Sequence, residues 1–180
     1  MEKYLIDLID RMLDNSDRDM FPFDSSKTIS WNALREAEKL HNPDYIPQLI
    51  TFIDGEKNKA RRGRAYFILA HVAKNTVDIQ VPGYLVSRVA EEKNAYILCS
   101  LLDRIQYLKK PAGTDLTPIF NAIKSKDRQV NHSAIQALKN SDDKAAEKIL
   151  LDIISNSNDE YDLYYANVTL ANIGTKESLP

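Results

Sequence analysis

The chain has 180 residues, 43% of them hydrophobic and 28% charged, with a formal net charge of −2. That composition supports one domain with a real core, and its mixed charge lacks the basic excess of a dedicated nucleic-acid binder. A single cysteine, Cys99, excludes an internal disulfide and a cysteine-based zinc site.

No stretch approaches the length of a membrane span, and carboxylates interrupt the apolar opening segment, so a signal peptide is not expected. The expected location is the cytoplasm.

In chain order, apolar residues recur at i, i+1 and i+4, which is one stripe of a helix with a 3.6-residue period. Near the N-terminus, Leu5-Ile6-x-x-Ile9 and Leu8-Ile9-x-x-Met12 both fit a first helix. An insert over 14–27 follows, longer by about nine residues than the later connections between helices. It contains Phe21-Pro22-Phe23. This insert is read as a hydrophobic flap covering the end of a stack, with a binding loop as the other reading. Ala33-x-x-x-Ala37 then marks a second helix.

The same pairing returns four times. Leu49-Ile50-x-x-Ile53 precedes Ala65-x-x-Ile68-Leu69-x-x-Val72, and Leu85-Val86-x-x-Val89 precedes Leu98-x-x-Leu101-Leu102-x-x-Ile105. Ile119-Phe120-x-x-Ile123 precedes Ala134-x-x-Ala137-Leu138, and Leu150-Leu151-x-x-Ile154 precedes Ala166-x-x-Thr169-Leu170-x-x-Ile173. The markers 33, 65, 98, 134 and 166 lie 32, 33, 36 and 32 residues apart. A period of that size marks a stacked array of supersecondary units. Period-2 alternation, the mark of a strand, is nowhere sustained.

Turn chemistry places the boundaries. Ser26, Asn58, Glu91, Asp127 and Asp159 stand seven residues before the markers, where they are expected to start the second helix of each pair. Pro43, Pro47, Pro82, Pro111 and Pro118 accompany the starts of first helices, where a missing N–H costs nothing. Gly113 and Gly174 are expected to stop second helices. The tail from Gly174 to Pro180 reads like the start of another first helix. Ala33, Ala65, Ala134 and Ala166 allow close helix approach, whereas Leu98 predicts wider packing in the third pair.

Arg62-x-x-Ala65-x-x-Ile68-Leu69 and, with Asn131 in place of the arginine, Asn131-x-x-Ala134-x-x-Ala137-Leu138 resemble the second helix of HEAT repeats. Ala95 and Leu163 also replace that arginine. The resemblance implies an all-α fold, a right-handed α-solenoid of about five stacked antiparallel helix pairs forming a single domain over 1–180. The pairs would fall near 1–42, 43–80, 81–112, 113–143 and 144–180. In that family the second helices line a concave binding surface, and most members are scaffolds.

Two columns lie outside the expected core stripe, one on the opposite face and one on its flank. Two residues before each marker stand Trp31, Gly63, Tyr96, His132 and Tyr164, with Phe67 one turn further on and Tyr107 near the end of its helix. Aromatic side chains there offer large contact area at low entropic cost, unless they lean across as partial core. The flanking column Lys39, His71, Arg104, Asn140 and Asn172 is read as a hydrogen-bond ladder between repeats or as a grip on a peptide. The basic runs at 57–64 and 124–128 are read as solvated turns.

The histidines His41, His71 and His132 sit on different repeats without metal or triad spacing, and no phosphate loop is present. The expected function is a non-enzymatic scaffold that binds a protein or peptide partner and needs no cofactor or metal. Trp31, Phe67, Tyr96 and Tyr164 would anchor the partner, and Arg104, Tyr107 and His132 would supply polar contacts. The alternatives are an inhibitory partner such as a toxin-immunity protein, a fragment of a longer solenoid, or a HEAT-like enzyme. The enzyme would resemble an alkylated-DNA glycosylase or a bilin lyase, with Asp103 as its carboxylate.

Overall fold

Ten α-helices, and no strand, make up the regular structure in a computed structural model that describes residues 1–175. The expected start of a further helix after Gly174 therefore lies largely outside the described residues. The helices gather into two compact units, Met1–Asp78 and Ile79–Pro180.

The first unit holds α1 (Lys3–Arg11), α2 (Ile29–Ala37), α3 (Tyr45–Gly55) and α4 (Lys59–Thr76). Leu5, Leu8 and Ile9 on α1, Ala33 and Ala37 on α2, and Leu49 and Ile53 on α3 are buried. Complete burial of one such leucine or isoleucine contributes roughly 1.5–3 kcal/mol relative to exposure. α4 is the inner helix and contacts α1, α2 and α3. Its apolar residues Ala65, Tyr66, Ile68, Leu69, Val72 and Ala73 leave no wide polar stripe. The stretch 65–73, apolar on every side but for His71, is a buried one, whereas the charged residues of α4 gather at its two ends.

The second unit holds α5 (Val81–Glu91), α6 (Ala95–Ile105), α7 (Thr117–Ile123), α8 (Arg128–Ala137), α9 (Lys144–Asn156) and α10 (Glu160–Ile173). Each first helix packs on the second helix that follows it, α5 on α6, α7 on α8 and α9 on α10. The second helices also pack in series, α6 on α8 and α8 on α10. Ala134 and Ala166, like Ala33 and Ala65 in the first unit, are fully buried, whereas the bulkier Leu98 is only half-buried.

Three expected second-helix starts are observed. Asn58, Asp127 and Asp159 accept backbone N–H bonds from the first turns of α4, α8 and α10. Two are corrected. Thr28, not Ser26, caps α2, and Asn94, not Glu91, caps α6 by accepting from the Ile97 N–H at 3.2 Å. Glu91 is instead the last residue of α5. A short Asn side chain reaches free N–H groups better than a glutamate does.

The Arg-x-x-Ala pattern also has a physical basis. Nη1 of Arg62 donates to the carbonyl of Glu56 at 3.0 Å, and the shorter Asn131 side chain donates to the carbonyl of Ile123. Each seals the carbonyl end of the preceding helix from the first turn of the next one.

Gly113 does not stop α6, which ends at Ile105; it lies in the following loop at φ +89. The end of α6 is sealed by Lys110, whose buried Nζ donates to the carbonyls of Ile105 and Leu108 at 3.0 and 2.8 Å. Gly174 does cap α10, but in extended rather than left-handed conformation.

Residues 12–28 join α1 to α2, whereas three or four residues join the partners in each later pair. The insert is thus longer than its apolar pattern indicates, because α1 ends already at Arg11. It forms two short turns, Arg18–Met20 and Ser25–Lys27, and Oδ2 of Asp17 pins it by accepting from the Ile29 N–H at 2.8 Å. Phe23 is fully exposed and Phe21 half-buried, so the rings expected to form a flap do not both cover the core.

Candidate functional site

Helical register brings the candidate site together. In the second unit α6, α8 and α10 lie side by side, each turning its apolar stripe inward, so the residues two before each marker share a surface. Between α6 and α8 lies an open cavity of about 440 Å³. Tyr96, Cys99, Ser100 and Asp103 line it from α6, Gln129, His132, Ser133 and Gln136 from α8, and Tyr165 from α10.

His132 lies between two tyrosine rings and a carboxylate. Its ring stacks at a tilt against Tyr165 and Tyr161, with centroids 5.0 and 5.9 Å away. Its Nε2 lies 3.2 Å from Oδ1 of Asp162, yet no hydrogen bond is formed, because closeness is not matched by alignment. Oδ2 of Asp162 accepts from the Ser157 hydroxyl at 3.0 Å. Asp159, the cap of α10, also pairs with Arg128. Hydrogen bonds from the backbone N–H groups of Tyr161 and Asp162, with Arg128 nearby, hold the Asp159 carboxyl below the usual range.

Cys99 does not offer a ready nucleophile. Burial, reinforced by the negative charges of Asp103 and Asp127, pushes its thiol up, and a thiolate is the reactive form.

The expected partner-binding residues fall into three groups. Tyr96 and His132 line the cavity, and Tyr164 joins it through an edge contact with Tyr165 at 5.2 Å. Arg104 lies further along α6 and Tyr107 just past its end, the guanidinium 5.9 Å from the ring centroid. Trp31 and Phe67 belong to the first unit. Trp31 is partly exposed under the Arg35 guanidinium, 4.6 Å from its ring. Phe67 is buried beside His71, so it is not an exposed anchor. The reason is the inner position of α4, which has no free face.

Gln129 and Ser133 were not singled out from the sequence. Tyr165 adjoins Tyr164 in sequence, but only the rotation of α10 against α8 turns it into the cavity.

Of the flanking polar column in this unit, Asn140 and Asn172 form a ladder, with the Gln106 carbonyl rather than Arg104 as the partner on the α6 side. Asn140, at φ +59, donates its backbone N–H to Oδ1 of Asn172 at 2.7 Å and its side-chain N–H to the Gln106 carbonyl at 2.8 Å. The ends of α6, α8 and α10 are thereby tied together.

A second cavity, of about 480 Å³, lies in the first unit between Asn32, Arg35, Glu36, Lys39, His41 and Tyr45. The basic run there is partly held internally, since Arg61 pairs with Glu56 at 3.0 Å and with Asp10. Among the described residues no helix is long and apolar enough to cross a membrane.

Comparison with known protein families finds no model that matches the chain, and comparison with curated proteins finds no match.

Proposed function

We propose that the chain is a non-enzymatic protein-binding module built from HEAT-like helix pairs, and that the surface of α6, α8 and α10 receives a peptide segment of its partner. One observation carries this reading. Tyr96, which lines the polar cavity, and Tyr161 and Tyr164, whose rings contact its lining residues His132 and Tyr165, are 76%, 58% and 61% exposed. Rings of that size are usually mostly buried. Left in solvent beside Gln129, Gln136 and His132, they provide apolar anchors next to hydrogen-bonding groups, the combination that binding hot spots use. The cavity opens to solvent along two packed helices, which suits an extended or helical segment better than a small enclosed ligand.

The test is capture of a partner by the parent chain and by a Tyr96→Ala/Tyr164→Ala variant. Each anchor should contribute about 1–3 kcal/mol if it is a hot spot. The partner should therefore be retained by the parent and lost from the variant, with unchanged circular dichroism. Equal retention by a folded variant would place the binding surface elsewhere.

A further inference from the structure

We propose that His132, Asp159 and Asp162 form a site for a divalent transition-metal cation of zinc type, at the edge of the α8–α10 surface. The proposal does not rest on the peptide-binding reading. Each residue offers one ligand atom, these atoms lie within 4.8 Å of one another, and all three residues are half-buried.

The geometry at His132 points to a shared third atom. Its Nε2 is buried without a hydrogen bond, although Oδ1 of Asp162 is only 3.2 Å away. Two polar atoms that close, converging without aligning, suit two ligands of one cation better than a donor and its acceptor. Zinc–nitrogen and zinc–oxygen bonds of about 2.0–2.2 Å put neighbouring ligands of a tetrahedral site roughly 3.3 Å apart.

The surroundings hold the ligands in place. Oδ1 of Asp159 accepts from the Tyr161 and Asp162 N–H groups, and Oδ2 of Asp162 is oriented by the Ser157 hydroxyl. The Tyr161 and Tyr165 rings flank the imidazole. Outer contacts of this kind fix ligand orientation in metal sites. One imidazole and two carboxylates match the charge of a divalent cation, and the imidazole favours zinc over magnesium or calcium. Three protein ligands leave a fourth position open. Arg128 competes, because its guanidinium already pairs with Asp159.

Zinc ion is titrated calorimetrically into the full chain after chelator treatment. One equivalent should bind, at least about tenfold more weakly in His132→Ala and in Asp162→Asn. Arg128→Gln should bind more tightly than the parent. Asp162→Asn conserves shape and the acceptor for Ser157, so it decides the matter if His132→Ala fails to fold. Cobalt(II) provides a second readout, a visible absorption band present in the parent and lost from Asp162→Asn. Absence of zinc binding, or equal affinity in the parent, His132→Ala and Asp162→Asn, overturns the proposal; the second result would assign zinc to another group such as Cys99, His41 or His71.

Discussion

Nζ of Lys110 donates to the carbonyl oxygen of Leu108 at 2.8 Å from a position that no solvent reaches. Its second acceptor is the Ile105 carbonyl at 3.0 Å. The two N–H groups of a neutral amine match these two carbonyls, whereas an ammonium must also give up its hydration. Desolvation accordingly lowers this amine from 10.5 to about 7.

A stability change with pH follows, and its sign is fixed. Between about pH 7 and 10 the unfolded chain carries a proton on Lys110 that the folded chain lacks. Stability therefore rises with pH across that window, and below it the full penalty of burying the charge is present. From pH 7 to 9 the gain should be on the order of 2 kcal/mol. Lys110→Met removes the titration, so urea denaturation of parent and variant at both pH values should show the slope only in the parent. Parallel pH dependence in the two proteins would refute a neutral Lys110.

In the first unit, Glu36 joins α2 to α1 through Arg11 and Tyr4. Nη1 and Nη2 of Arg11 donate to its two carboxylate oxygens at 2.8 and 3.0 Å, and the Tyr4 hydroxyl donates to Oε1 at 2.7 Å. Arg11 holds the Glu36 carboxyl low, while burial and then Glu36 push Tyr4 up to about 12. Glu36→Gln should bring the Tyr4 titration back toward 10, by the share that Glu36 contributes, as read from the chemical shift of its ring. Both ionic side chains are about one-third exposed, so screening limits the stability loss to about 1 kcal/mol. Because the folded pKa of Glu36 is depressed, its contribution is present above the unfolded carboxylate value and fades as pH falls through the folded one. An unchanged Tyr4 titration in Glu36→Gln would contradict the coupling.

The corrected start of α6 gives a third expectation. Asn94→Ala should lower stability by about 1 kcal/mol, because the Ile97 N–H loses its acceptor. Glu91→Ala should stay within about 0.5 kcal/mol, since the exposed Glu91 makes only a surface pair with Arg88. Denaturant midpoints of the two variants decide it, and the reverse order would restore Glu91 as the start of the helix.

The candidate site was legible only in part. Tyr96, His132 and Tyr164 share one register position, and a helix with 3.6 residues per turn puts that position opposite its own apolar stripe wherever the stripe faces inward. The same register failed at Phe67, because α4 has neighbours on several sides and so no outward face. Asp159 was read as a helix start, and Asp162 lies in the same first turn. Their approach to His132 depends on how α10 is rotated against α8, which residue spacing does not encode.

By itself, then, the sequence determined the helix pairs, three of the five second-helix starts and the small-residue columns, because each follows from short-range periodicity or from one side chain capping its own helix. Tertiary structure alone decided that Phe67 is core and that His132 meets Asp162 and Tyr165. Those outcomes depend on which surfaces of separate helices meet, and burial and electrostatics act only after that meeting is made.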